Sequence, residues 1–371
     1  MRFHRDHRTN GTITIRVVCA VVFMLFSFLW LYAFQADVLA VLQHHLSQGQ
    51  TTYNRLWGAI IITVVLQLLQ LFVAAVRLHR KFFALTYVPS MLILALISAG
   101  DLKLWLSLPL LVIWGLLFSQ AHRQASFEDK KMATGLFSRC MWVNLLQMAL
   151  LMLGVAWIGN THAVYHYRTH AEVALKQGFI NEALRVGQRS IETDPSLTML
   201  RIYALAKQGE LGNRLFEYPI SGTSADMIPV TADSHSSLLL LSADSIWQTL
   251  HGSPAEGLTS MRFFQLLERR DSLPRAIVGD YRLCGYLIDR HLEDFVALLP
   301  SYYDIKEVES LPRYYREALF LHDVTKHRQP ADTLMQRHWA DYLEQSAQMT
   351  GVQQFSEFGK SYWYYYQHQS R

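Results

Sequence analysis

Residues Ile13–Phe34 read ITIRVVCAVVFMLFSFLWLYAF, an apolar run broken by one arginine near its start and containing no acid. A helix of this length reaches across the ~30 Å hydrocarbon core of a bilayer, which takes about 20 apolar residues. Four further stretches repeat the pattern: 56–76, 82–99, 104–119 and Leu136–Ile158. The reading is therefore a five-helix transmembrane bundle over residues 1–160. The third and fourth stretches are short and carry Pro89 and Pro109, which a membrane bundle accommodates when neighbouring helices satisfy the freed backbone groups. A re-entrant pair is the alternative there, and it leaves the sidedness of both chain ends unchanged.

Basic residues orient the bundle, because cytoplasmic loops accumulate lysine and arginine. Arg2, Arg5, Arg8, Arg16, Arg77, Arg80, Lys81, Arg123, Lys130, Lys131 and Arg139 fall on one side, against Arg55 and Lys103 on the other. Eleven against two, alternating at each crossing, puts the N-terminus in the cytoplasm and residues 161–371 outside it. The first run has a basic flank like that of a secretory signal, but no small-residue cleavage site follows Phe34, so it reads as an uncleaved anchor. The implied location is a bacterial inner membrane, with a multi-pass anchor and a periplasmic domain.

The 371 residues are 51% hydrophobic and 17% charged, and most acids follow Asn160. A net charge of +4 is accounted for by topology and gives no reason to expect nucleic acid. Of the three cysteines only Cys284 falls in the C-terminal part, so no disulfide framework is available there.

Polar residues within spans mark possible function at membrane depth. Gln67 with Gln70, and Asn144 with Gln147, are spaced three apart and so share helix faces. Hydrogen bonding between helices is one reading; a polar path for an envelope lipid or glycan substrate is the other. Trp57, Trp105 and Trp157 near span ends fit an interfacial belt.

Beyond the last span, helical periodicity continues through 161–177. There His162, His166 and His170 form an i, i+4, i+8 stripe, a weak candidate for metal. Next comes AEVALKQGFINEALRVGQRSIETDP, Ala171–Pro195. Against a tetratricopeptide repeat, Ala171 and Ala183 take the small positions where two helices approach, Gly178 the turn, and Pro195 the end of the second helix. Ala174 and Gly187 depart from the pattern. Helical periodicity recurs at 197–207, 238–250, 255–270, 273–289, 293–299, 313–324 and 334–349, so the expected fold class is all-α. The expected outer domain is a short α-solenoid of helical hairpins.

The strings LFEYP (Leu215–Pro219), DYRLCGYLIDRHLEDFVALLPSYY (Asp280–Tyr303), LPRYYREALFL (Leu311–Leu321) and SYWYYY (Ser361–Tyr366) resemble a family of Bacteroidota inner-membrane proteins that join several spans to tetratricopeptide-like helices. The resemblance implies that architecture and no activity.

Neither a phosphate-cradling glycine loop nor a nucleophile elbow nor a zinc-protease helix occurs. The acids around Asp304, Glu307 and Glu309 read as solvated. Tyr362, Trp363 and Tyr365 in the terminal aromatic run are candidates for stacking on a glycan or peptide, or for closing the core. No cofactor is implied. The expected function is a membrane scaffold whose repeat domain binds an envelope protein or peptide, with the bilayer as its other partner. The alternative is an envelope lipid or glycan enzyme or transporter component built around a polar cavity in the bundle.

Overall fold

A computed structural model describes residues 3–75, 80–100, 109–110, 112–117, 119–120, 138–229, 235–269, 275–330, 332–346, 348–349 and 351–368. Among these residues there are helices and connecting turns and no strand. The chain divides into two compact units, Met1–His162 and Ala163–Arg371.

The first unit contains α1 (Phe3–Leu29), a π-helical turn (Trp30–Phe34), α2 (Ala36–Leu46), α3 (Arg55–Ala74), a 3-10 stretch (Arg80–Tyr87), α4 (Val88–Ser98) and α5 (Arg139–Ile158). Three stretches are long and apolar enough to cross a membrane: Ile13–Phe34, Arg55–Ala74 and Arg139–Ile158, of 22, 20 and 20 residues. This corrects the expectation of five. The predicted third span becomes a shorter apolar helix, Phe82–Ser98. Pro89 lies in the first turn of α4, and the chain before it is 3-10 with a kink at Phe82 (φ −118°), which leaves α4 with 11 residues. The predicted fourth span lies partly outside the described residues; 109–110, 112–117 and 119–120 are helical.

Side-chain caps start two of the spans: Asn54 Oδ1 accepts the Trp57 amide at 3.1 Å, and Ser138 Oγ accepts that of Met141 at 3.3 Å. The seam of α1 is Ile15, Cys19, Phe23 and Ser27, continued by Leu31 in the π-helical turn, all buried, while Val17, Leu25 and Leu29 are exposed. Exposed Leu68, Phe72, Leu146 and Leu153 continue that apolar exterior on α3 and α5. An outer surface of this kind suits burial against hydrocarbon or another apolar surface. Trp57, Trp142 and Trp157 are exposed near span ends; Trp105 lies outside the described residues.

The helix expected to run on from the last span stops instead. Gly159 is extended (ψ 153°), and the Asn160 amide donates to the Ser98 carbonyl at 2.9 Å. Trp30 Nε1 reaches Ser98 Oγ at 2.9 Å, and Gln35 Nε2 reaches the Asn160 carbonyl at 3.1 Å. This junction ties the ends of α1, α4 and α5 together at the point where the chain leaves the bundle.

The second unit contains α6 (Ala163–Lys176), α7 (Ile180–Arg185), α8 (Pro195–Gln208), α9 (Leu211–Arg214), α10 (Ala243–Thr249), α11 (Ser260–Glu268), α12 (Arg275–Ile288), α13 (Leu292–Leu298), α14 (Arg313–Thr325), α15 (Thr333–Ser346), α16 (Gly351–Phe358) and α17 (Tyr362–His368). Ala171 and Ala183 are buried where α6 meets α7, and Gly178 takes φ 85° in the turn between them. The second repeat helix is cut to six residues, because Val186 is extended and Gly187 is left-handed at φ 62°. A side chain at 187 would also lie 2.9 Å from the Tyr167 ring. Pro195 opens α8 and does not end the preceding helix; Asp194 Oδ1 caps it by accepting the Leu197 amide at 2.6 Å.

A solenoid repeat touches its sequence neighbours. Here α9 packs on α12 and α14, and α17 returns to α14. A single core runs from Ala171 to Trp363. Neighbouring helices also pack in sequence order, α6 with α7 and α8, and α11 through α14 each on the next, so the unit is all-helical around one core with both neighbour and long-range contacts.

Candidate functional site

Three of the four amide candidates, Gln70 and Asn144 directly and Gln67 through Gln70, meet at the 3-10 stretch. Gln67 Nε2 donates to Gln70 Oε1 at 2.8 Å, Gln70 Nε2 to Thr86 Oγ1 at 3.0 Å, and Thr86 Oγ1 to the Phe83 carbonyl at 2.8 Å. Asn144 Oδ1 accepts the Ala84 amide at 2.9 Å, and its Nδ2 donates to the Cys140 carbonyl at 2.8 Å. Non-helical backbone in a membrane must find partners inside the protein. Gln70 and Asn144 supply them, so both act as braces. The other members of the pairs do not reach the 3-10 backbone: Gln67 acts through Gln70, and Gln147 Oε1 is buried without a hydrogen-bond partner among the described residues.

The histidine stripe is not formed. His162 precedes α6, and its amide donates to Asn160 Oδ1 at 3.1 Å; His170 Nε2 is 3.5 Å from Glu182 Oε1. Among the described residues no group of three or more His, Cys, Asp or Glu is placed to hold a metal ion.

In the helical domain a buried carboxylate does the work that the sequence did not advertise. Glu172, fully buried on α6, accepts the amides of Leu239, Leu240 and Leu241 at 2.9, 2.6 and 3.0 Å through Oε2. Arg168 stands 3.5 Å from its Oε1 and donates to the Ser237 carbonyl and hydroxyl at 2.8 Å. The loop before α10 is thereby pinned to α6.

The quoted strings meet one another. Tyr303 and Tyr315 both donate to Asp280 Oδ1, at 2.7 and 2.8 Å. The Cys284 thiol lies 3.5 Å from the Tyr315 hydroxyl, and Arg282 pairs with Glu268. Burial pushes the Asp280 carboxyl above its ordinary range, against the two tyrosine hydrogen bonds that lower it. A raised folded-state value means that its contribution to stability is full below the ordinary carboxylate range and is lost as pH climbs through the raised value. Asp280→Asn keeps the Oδ1 acceptor for both tyrosines and removes the charge. It is expected to be neutral or stabilising at pH 7 and to flatten stability between pH 4 and neutrality, about where carboxylates titrate. Asp280→Ala orphans two hydroxyls and should cost about 2 to 4 kcal/mol. Urea unfolding of both variants across that pH range distinguishes them.

Phe216, from LFEYP, has ring contacts with Tyr314, Tyr362 and Tyr365 at centroid distances of 5.1, 5.0 and 4.8 Å. Tyr362 and Trp363 are buried, with the Trp363 indole donating to the Glu317 carbonyl at 2.9 Å and the Tyr362 amide to Glu317 Oε2 at 2.7 Å. Tyr365 donates to the Ile288 carbonyl at 2.8 Å under the Arg290 guanidinium. Two of the three aromatic candidates therefore lie in the core, and the third is tied to α12. Glu317, on the apolar face of α14, is a second buried carboxylate that the sequence reading missed. Burial raises its carboxyl, opposed by Arg313, whose Nε donates at 2.8 Å, and by the Tyr362 amide.

Beside Glu317 lies the groove that we take as the candidate site. Its volume is about 430 Å³. Met335, Phe358 and the edge of Trp363 form an apolar floor, and Arg313, His338, Asp341, Gln345, Glu357 and Lys360 form a rim of both charge signs. One face of α15 supplies Met335, His338, Asp341 and Gln345 at helical spacing.

Residues 258–369 match the model of a family described as Family of unknown function (DUF6057). The matched segment is under a third of the chain. It contains the groove, the Asp280 cluster and three of the four quoted strings; LFEYP lies outside it. No curated protein and no solved structure matches the chain.

Proposed function

We propose that the chain is a multi-pass protein of a bacterial inner membrane, with its N-terminus in the cytoplasm, that presents its helical domain in the periplasm as a docking module for a protein or peptide. The charge asymmetry supports the orientation, and it does so for three spans as for five. Residues 76–138 hold most of the basic charge between the second and third long spans, whether the intervening helices cross as a pair or dip and return.

The observation that carries the docking reading is the groove itself. An apolar floor ringed by exposed polar groups of both signs suits a peptide segment, which brings side chains for the floor and backbone and charges for the rim. A glycan needs an open aromatic face, and Trp363 offers 4% of its surface. The transporter alternative draws little support from the bundle, since Gln70 and Asn144 are engaged as braces.

A photo-crosslinking residue at His338 or Gln345 in the full chain, at native expression, is expected to trap one partner that a crosslinker at exposed Asp304 does not. Asp341→Arg on the rim should remove the adduct. Equal trapping at all three positions, or none, would sink the docking reading.

A further inference from the structure

A second concavity lies in the first unit, a groove of about 280 Å³ between α4, α5 and the helical residues of 109–120. Leu85, Met91, Ala95, Ile113, Gly154 and Ile158 are among its apolar lining residues. We propose that it binds one acyl chain of a phospholipid from the leaflet that faces the helical domain. The inference rests on the bundle spanning a membrane and is independent of the docking reading.

Three observations carry it. The first is length. The groove follows α5 from Leu150 to Ile158, eight residue steps or about 12 Å, close to the ~15 Å of one leaflet's hydrocarbon. It also follows α4 toward Ser98, and because the Asn160 amide donates to the Ser98 carbonyl, α4 and α5 end at the same level. The groove is thus one leaflet deep and aligned with a lipid chain.

The second is volume. A partner helix 10–12 Å across occupies about 500 Å³ per 5.4 Å turn, more than the whole groove holds. One extended hydrocarbon chain fits, and the apolar lining offers water no partner. The third is polarity at the two ends. At the inner end Trp114 Nε1 donates to the Leu85 carbonyl at 2.9 Å, so that indole N–H is already paired where a chain terminus would lie. At the outer end stand the Ser98, Asn160 and Gln35 groups of the junction, where an ester and headgroup would emerge.

Gly154 provides the test, because a side chain built there meets nothing within 4 Å and would project into open space. The full chain is reconstituted in phosphatidylethanolamine–phosphatidylglycerol vesicles with trace phosphatidylglycerol carrying a diazirine on one acyl chain. Photolabelling is expected to concentrate on peptides 110–117 and 150–158 over the lipid-facing Leu68 and Phe72 surface of α3. Gly154→Leu displaces at least two methylenes of the chain, and labelling of those peptides should fall about tenfold. Gly154→Ala, which also removes a helix-weakening glycine, should retain the fold and give an intermediate loss. Even labelling around the bundle, or labelling unchanged in both variants, would overturn the proposal. So would a protein crosslink in place of lipid in native membranes. A topology found inverted by labelling from outside would leave the groove's chemistry intact and change only which leaflet supplies the chain.

Discussion

Trp363→Ala is expected to remove much of the stability of the helical domain, about 3 to 5 kcal/mol for a buried tryptophan. Its ring lies against Phe320, Trp339 and Tyr342 at centroid distances of 5.9, 5.3 and 6.2 Å. The indole N–H also closes the last helix onto α14 through the Glu317 carbonyl. With a urea m-value of about 2 kcal/mol/M, the midpoint should fall by about 1.5 to 2.5 M. Trp363→Phe keeps the ring contacts, loses the hydrogen bond, and should shift the midpoint by less than half as much. An unchanged midpoint for the alanine variant would mean that the aromatic run serves binding and not closure.

The second large effect is expected at Glu172. Alanine there leaves three loop amides and the Arg168 guanidinium without their shared acceptor, and removing one member of a buried charge pair costs about 3 to 5 kcal/mol. Glu172→Gln retains an oxygen for the amides and loses the charge, so a loss of about 1 to 2 kcal/mol is expected. Limited proteolysis gives the local readout: cleavage between Ser237 and Leu241 should appear in the alanine variant before global unfolding does. Resistance equal to wild type would show that the loop is held by other contacts.

The membrane half was readable because its signal is composition over long windows. Three helices long and apolar enough to cross a membrane follow from windows of 20 or more mostly apolar residues, and the caps Asn54 and Ser138 stand where a sequence reader would put them. What failed there was local. The apolar run that starts at Phe82 reads as one continuous helix, but the kink at Phe82 and Pro89 in the next turn give 3-10 geometry, and Asn144 and Gln70 make that geometry tolerable from distant positions in the chain. Tertiary hydrogen bonds of this kind leave no periodic trace.

In the helical domain element positions were legible and the long-range contacts that join them into one core were not. Ala171, Gly178 and Ala183 of the 171–195 pattern lie where α6 turns into α7, and Gly187 ends the second helix early. The terminal YWYYY run was ambiguous because aromatic side chains suit both cores and binding faces. Hydrogen bonds from Tyr362, Trp363 and Tyr365 to backbone far away in sequence decide for the core. The groove was invisible for a related reason: its rim residues come from α14, α15, α16 and the turn after it, and no single stretch carries the motif.

The central proposal is that the helical domain stands on the far side of the membrane from the N-terminus. Cys19, Cys140 and Cys284 are all buried, so the chain offers a low background for thiol labelling. Cysteine is introduced at exposed Glu309 in one variant and at Lys130 in another, and spheroplasts are treated with a membrane-impermeant maleimide. The account predicts labelling of Glu309→Cys in intact spheroplasts and of Lys130→Cys after lysis alone. Labelling of Lys130→Cys in intact spheroplasts, with Glu309→Cys protected until lysis, would contradict it.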